Sequence, residues 1–294
     1  MTLITYPVSS PLSAYIERFY YMGGVMPYPR EKIMPAVWLD LKVNLGGCVR
    51  AYDVDHAEPL EGCAESWSVG LWNEFHVVDW PQDMHLFGVA FKPGGAYPFL
   101  QIPLSELHNR VVSLDAIWGR FAAEVRERLY TAPTIQAGFA MLEQLLLAHI
   151  CETLADLNVI QYALSEIARH RGTLSIRALS DQIGISQNHL GTLFKLLVGG
   201  TPKEVARLYR FQHVLDNLDP VQPVDWTQVA YQALYYDQSH FNKDFVAFTG
   251  HNPNDYLRLR RQVHTEHPQH SIYLRELPTD SIFTSQPVSI YLQS

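Results

Sequence analysis

Apolar and polar residues alternate along Trp38 to Leu45, and the run ends at Gly46-Gly47. Ser66 to Trp72 and His85 to Phe91 have the same character, the second closed by Lys92-Pro93-Gly94-Gly95. Aromatic and β-branched residues between Gly, Pro and Asp punctuation predict an all-β sheet or barrel for this part. From about Ser113 the period changes. Leu114, Ile117, Trp118, Phe121, Val125 and Leu129 recur at three and four, a helical spacing, until Pro133 interrupts. Phe139, Leu142, Leu145, Leu146 and Ile150 make a second apolar face, and Val159 to His170 a third helix. These helices either pack beneath the sheet or form a dimer seam; amphipathicity favours an intramolecular core.

Beyond Thr173 the chain is densely punctuated helix. Ser175 can cap a helix ending near Gly184, and Ser186 the next, which carries Leu190, Leu193, Phe194 and Leu197 on one face before Gly199-Gly200. Thr201-Pro202-Lys203-Glu204 fits a capping box with Pro at the first helical position, opening a longer helix that Asp219-Pro220 stops. Asp225 can cap a helix through Ala233. Asp237 can cap another bearing Phe241, Phe245 and Phe248, closed by Gly250 and Pro253, with a last helix over Asp255 to Arg261. The tail after His264 holds β-like pieces, Ser271 to Leu277 and Val288 to Gln293, that either join the β-rich part as added strands or are loosely held. The pattern thus divides the chain into residues 1–112, β-rich; 113–158, a helical joint; 159–263, all helical; and 264–294, a tail.

Composition sets limits on this picture. The 294 residues are 47% hydrophobic and 18% charged, which describes a globular chain of about two domains. No apolar run reaches the ~18 residues of a membrane span, and the N-terminus lacks a signal-peptide pattern. Three widely spaced cysteines, Cys48, Cys63 and Cys151, suit a reducing cytoplasm. The net charge of −8 argues, taken whole, against nucleic acid as a partner. Its distribution does not. Residues 1–159 hold 10 Lys and Arg against 18 Asp and Glu, whereas residues 160–265 hold 11 against 9. The helical segment is mildly basic between two acidic ones.

Two helix pairs, each with a short turn, flank a central helix: Ser175 to Val198 with its turn at Gly184-Ile185-Ser186, and Asp225 to Phe248 with its turn near Leu234-Tyr235-Tyr236. A helix-turn-helix needs this layout, because its second helix must stand clear of the core to enter a major groove. Two such units on one stiff helix could reach successive major-groove faces about 34 Å apart. Residues 174–257 resemble the DNA-binding domain of the AraC/XylS transcription regulators. The resemblance rests on Leu174-Ser175-Ile176, Leu179, Ile183-Gly184-Ile185-Ser186, His189-Leu190, Leu193-Phe194-Lys195, Gly199, Pro202 and Arg210. It is closer still in Val229-Ala230, Tyr235-Tyr236-Asp237-Gln238-Ser239-His240-Phe241, Phe245, Gly250, Pro253 and Tyr256. Tyr15 to Tyr20, Gly88 to Ala96 and Leu104 to Leu107 resemble, less specifically, the β-rich sensor domain of some of these regulators. The fold this implies is α+β: a cupin-like β-rich N-terminal domain, following helices, then an all-α domain with two helix-turn-helix units.

The resemblance places DNA contacts at Gln187, Asn188, Thr192 and Lys195 on the first recognition helix, with Gly191 among them, and at Gln238, Ser239, His240, Asn242 and Lys243 on the second. Gln and Asn can pair bidentately with adenine, and Lys can donate to guanine or phosphate. Arg210, with Arg207, Arg258, Arg260 and Arg261, either anchors phosphates or makes internal and solvated contacts. Two departures from the family stand out. Leu234 replaces the usual Gly of the second turn, where a positive φ disfavours Leu by ~1–2 kcal/mol. Ser180 replaces a usual Ala, and its hydroxyl can bond back to the helix backbone.

In the β region Trp38, Trp72, Phe75 and Phe91 are candidates for an aromatic effector cavity, with an aromatic core as the plainer alternative. Glu74, His76 and His85 lack the paired spacing of a metal site, and His264, His267 and His270 are broken by Pro268. No nucleophile elbow, zincin or phosphate-loop motif occurs, so no enzyme, metal or cofactor is expected. The reading is a cytoplasmic regulator of double-stranded DNA controlled by a small-molecule effector, with RNA polymerase and a second copy of the chain as open partners. Two alternatives stand beside it: a degenerate regulator acting through protein contacts alone, and a metal-dependent cupin-like enzyme fused to the helices.

Overall fold

The computed structural model describes residues 1–53, 58–60, 65–151, 155–267 and 276–279. Its first part is two antiparallel sheets. The larger orders its strands β1 (Thr2–Tyr6), β2 (Ile16–Gly24), β8 (Met84–Phe91), β4 (Asp40–Asn44), β6 (Ser66–Val69) and β9 (Val111–Ser113). The smaller orders β10 (Glu276–Pro278), β3 (Arg30–Ile33), β7 (His76–Asp79) and β5 (Arg50–Tyr52). The tail is therefore in part an added strand: Leu277 pairs opposite Lys32 and is fully buried. The rest of the expected tail strands, with His270 and Cys63, lies outside the described residues.

Alternation sorts each strand of the larger sheet between two cores. Phe19, Tyr21, Leu41, Val43, Phe87, Val89 and Phe91 pack against helices. Tyr20, Met22, Trp67, Leu86 and Ala90 face the second sheet. Gly88 is needed in β8 because the Tyr20 ring lies across it; a Cβ there would stand 2.0 Å from the ring. After a short α1 (Tyr97–Leu100), the helices beneath the sheet are α2 (Leu114–Trp118), α3 (Arg120–Tyr130) and α4 (Ile135–His149). Their apolar stripe contributes Leu114, Val125, Leu129, Phe139, Leu142 and Leu146 to the sheet's core, so the intramolecular packing holds. The helix expected over Leu114 to Leu129 is two helices, because Gly119 adopts a φ of +55° between them.

The second part packs α5 (Ala155–Arg169), α6 (Ile176–Ile183), α7 (Gln187–Leu197), α8 (Pro202–Asp216), α9 (Trp226–Gln232), α10 (Gln238–Thr249) and α11 (Pro253–Glu266). Every cap read from the sequence forms. Ser175, Ser186, Asp225 and Asp237 accept backbone N–H groups of their helices, and Thr201 with Glu204 closes a capping box. Pro253 opens α11 rather than ending α10, with Asn252 as its cap. α5 belongs to this part, since Leu157, Ile160, Ala163 and Ile167 share a core with Leu179, Leu190, Phe194 and Leu208.

The same core takes in Met34, Val37, Tyr52, Leu71, Phe75 and Val77 from the β-rich part. The smaller sheet is thus a shared wall. Val77 and Lys32, opposite each other in register, face the helices, while His76, Val78 and Ile33 face the larger sheet. Two polar contacts reinforce the joint: Lys32 Nζ lies 3.1 Å from His251 Nε2, and His108 Nδ1 lies 2.9 Å from the Gly199 carbonyl oxygen.

Candidate functional site

The two helices expected to carry the DNA contacts, α7 and α10, follow directly from their caps. Ser186 Oγ accepts the His189 N–H at 3.2 Å and starts α7 with Gln187 and Asn188 exposed on its first turn. Leu190, Leu193, Phe194 and Leu197 bury the opposite face, leaving Thr192 and Lys195 exposed. Thr192 Oγ donates to the Asn188 carbonyl at 3.1 Å, and open space surrounds Gly191. In α10, Asp237 Oδ1 accepts the His240 N–H at 2.7 Å, while Phe241, Phe245 and Phe248 anchor the inner face. Gln238, Ser239, His240 and Lys243 are exposed. Gln238 is steadied by the Thr227 hydroxyl, which donates to its Oε1 at 3.2 Å. Asn242 is half-buried, and its Oδ1 accepts no hydrogen bond among the described residues.

Arg210 is placed differently from the other candidates. Its Nη2 donates to the Gly172 carbonyl at 3.1 Å and its guanidinium lies over the Tyr235 ring, so it braces the domain from inside. Arg207 is likewise engaged, donating to buried Asp244 at 2.8 Å above the Phe248 ring. Arg261 donates to the Pro220 and Gln222 carbonyls. The second turn is strained as its residue implies: Leu234 holds φ +53° with its side chain in solvent. Ser180 is buried and its hydroxyl donates to the Arg177 carbonyl at 2.9 Å.

Between the two sheets lies a cavity of about 630 Å³. Trp38 and Trp72 line it, with Trp67 and Trp80. Phe75 and Phe91 do not. Alternation turns Phe91 into the helix-facing core, and Phe75 lies in the core shared with the helices of the second part, beneath Lys32 Nζ. Sequence reasoning missed the polar end of this cavity. Asp40 Oδ2 accepts from Lys42 Nζ at 3.0 Å and from the Tyr20 hydroxyl at 3.3 Å. Burial and the Asp40 carboxylate both push the Tyr20 phenol up, and Asp40 holds Lys42 firmly protonated. The His76 ring packs against Trp72 at a tilt of 36°, centroids 4.5 Å apart, and burial beside Lys42 pushes its imidazole down to about 3. The available signal was the Asp-x-Lys step inside the alternating run at Trp38 to Leu45, which puts two ionic side chains on one strand face.

Asp216, at the end of α8, reaches the cavity wall from the helical part. His85 packs edge-on to Tyr21 on the other side of the sheet, away from His76. No group of three or more metal-ligating side chains forms among the described residues.

Residues 179–259 match a family described as a helix-turn-helix domain, of the AraC type. This chain carries an AraC-type DNA-binding domain. Its α6–α7 and α9–α10 units, α8 included, lie within or overlap the match. Residues 4–113 match a domain of unknown function, DUF6597, which spans the two sheets up to β9. Similar solved structures include ToxT from Vibrio cholerae O395, at 11% identity over 82% of this chain and 95% of that one, with a TM-score of 0.43. A second ToxT structure from Vibrio cholerae aligns at 11% identity over 88% of this chain and 98% of that one, TM-score 0.45. The AraC-like transcriptional activator CuxR aligns at 16% identity over 72% and 79%, TM-score 0.29. The curated proteins include no match. No helix among the described residues is long and apolar enough to cross a membrane.

Proposed function

We propose that this AraC-type protein is a cytoplasmic, non-catalytic transcription regulator that reads duplex DNA with α7 and α10 and is set by a small molecule held between its two sheets. The observation that carries the reading is the pair of capped helices, each buried on one face and open on a polar one, joined by the single helix α8. α10 has the stronger chemistry for bases, with Gln238 and Lys243 exposed, while α7 offers Gln187, Asn188 and Lys195 around a bare Gly191. Effector control is supported by the shared wall. His76 and Val78 of β7 face the cavity, Val77 between them packs against the helical core, and Asp216 of α8 touches the cavity itself. A ligand that favours one arrangement of this wall shifts the population able to bind DNA.

With a basic excess of only two charges in residues 160–265, non-specific affinity is weak. A second copy of the chain would add the missing contacts, and RNA polymerase is the further partner of such a regulator. The test is selection of genomic fragments by the purified protein, followed by salt titration on the recovered duplex. Lys243→Ala should weaken binding on all sequences and lower the salt slope by about one. Gln238→Ala should cost about 1–3 kcal/mol and relax one base position. Arg210→Ala should leave the slope unchanged. Failure to retain any duplex at low salt would reject the reading in favour of a regulator acting through protein contacts.

A further inference from the structure

Tyr236 and Tyr231 are the two most exposed large hydrophobic residues among the described residues, at 94% and 78%. Both belong to the α9–α10 pair. Tyr231 stands four residues after Thr227 and shares a face of α9 with it. The Thr227 hydroxyl donates to Gln238 Oε1 at 3.2 Å, so this face is the one turned to the first turn of α10. Tyr236 immediately precedes Asp237, the cap of α10. The two phenols thus border the start of α10, beside exposed Gln238 and Ser239.

This pair is short of cations. Residues 225–250 hold one basic residue, Lys243, against Asp225, Asp237 and Asp244, whereas residues 175–198 hold Arg177 and Lys195 against Asp181 alone. Arg207 of α8 is already paired with Asp244. A duplex carries one negative charge per about 1.7 Å of its axis, so a unit docked on it needs donors for phosphate. In a helix-turn-helix the first helix crosses the backbone, and the N-terminal residues of the second meet the bases. That geometry sets the Thr227–Tyr231 face of α9, and the residue before α10, at the backbone edging the groove. A tyrosine suits this place: its ring packs on deoxyribose, and its hydroxyl donates to a phosphate oxygen without carrying charge. We infer that Tyr231 and Tyr236 hold the second unit on duplex DNA by hydrogen bonds from their hydroxyls to backbone phosphates. The inference rests on the proposed reading of α10 as a helix that enters the major groove. Neutral donors release no counterions, so these contacts add affinity without steepening its dependence on salt.

The test uses the full chain and the duplex recovered by genomic selection, titrated in salt. Tyr231→Phe and Tyr236→Phe keep each ring and remove only the hydroxyl. Each should weaken binding about threefold to tenfold, on mismatched as on matched sequence, with salt slope and melting temperature unchanged. Lys243→Ala, by contrast, lowers the slope. Methylphosphonate substitutions along the backbone then locate each contact. For each tyrosine, one substituted phosphate should weaken the wild type and leave the corresponding Phe variant nearly unaffected. Wild-type affinity in either Phe variant overturns the inference for that tyrosine and leaves α10 as a DNA-reading helix. So does a lowered salt slope in that variant, or a methylphosphonate scan that affects wild type and variant alike at every position. Failure of the wild type to retain any duplex overturns the DNA reading itself, and the phosphate contacts with it.

Discussion

At the scale of single residues, the second turn is where local chemistry and fold disagree. Leu234 sits at φ +53° and is 61% exposed, so its side chain recovers little by burial. A left-handed conformation costs a leucine roughly 1–2 kcal/mol, which glycine avoids. Tyr235 N–H donates to the Ala230 carbonyl and Leu234 N–H to that of Tyr231, and neither bond depends on the side chain. Leu234→Gly should therefore stabilise the protein by about 1 kcal/mol, seen as a higher melting temperature; a lower one would show that leucine holds the turn by contacts. The arginines make the opposite point. Arg207 and Arg210 are basic residues of a DNA-binding domain, yet both are held by carboxylate, carbonyl and aromatic partners inside it. A guanidinium stacked and hydrogen-bonded in this way stabilises the domain, and a phosphate contact would have to compete with those partners.

At the scale of elements, α7 is a helix with an unused position. A Cβ at Gly191 would meet nothing within 4 Å, and glycine in a helix interior costs about 0.5–1 kcal/mol relative to alanine. Gly191→Ala should raise stability by that amount in denaturant unfolding. If DNA comes close to the backbone at this point, the same substitution weakens binding while the fold gains, so the two measurements separate helix from interface. The helices were legible because their signals are local. A Ser, Thr or Asp cap and the apolar stripe behind it lie within one or two turns, and Ser175, Ser186, Thr201, Asp225 and Asp237 all act as read. The strands were legible only where one face differs from the other. β4 alternates, but β2 runs Ile-Glu-Arg-Phe-Tyr-Tyr-Met, with the helix core on one side and the cavity on the other, so its alternation is lost. The same geometry hid the cavity. Asp40 and Lys42 read as the solvent side of a strand, and only the second sheet, assembled from distant β3, β5 and β7, turns that side inwards. Phe91 was misplaced by one register step for the same reason, since its neighbour Ala90 faces the cavity side.

At the scale of the whole molecule, the smaller sheet and its joint with the helices hold ionisable groups that burial pushes from their ordinary values, and this makes stability depend on pH in a defined direction. Burial pushes His251 down to about 4 and His76 to about 3, with Lys32 and Lys42 respectively adding to the effect. In the unfolded chain both imidazoles return to about 6.5. Between pH 6.5 and about 4 the unfolded chain therefore binds more protons, and stability falls as acid is added. Lys32, 3% exposed and pushed down to about 8 by burial, acts at the other end of the scale. Between pH 8 and about 10.4 the unfolded chain again binds more protons, so stability from this group rises with pH. The lysine's charge at neutral pH is thus a cost, only partly offset by the Phe75 ring and the His251 nitrogen. Lys32→Met keeps the volume and removes that charge. It should stabilise the protein at pH 7 by about 1–2 kcal/mol and abolish the alkaline rise. It should also let His251 titrate closer to its ordinary value, shrinking the acid loss. Urea unfolding at pH 5, 7 and 9.5 on the wild type, Lys32→Met and His251→Asn resolves each part. Equal stability of wild type and Lys32→Met at pH 7, with the alkaline rise intact, would show that the lysine is solvated and that the joint is looser than its packing indicates.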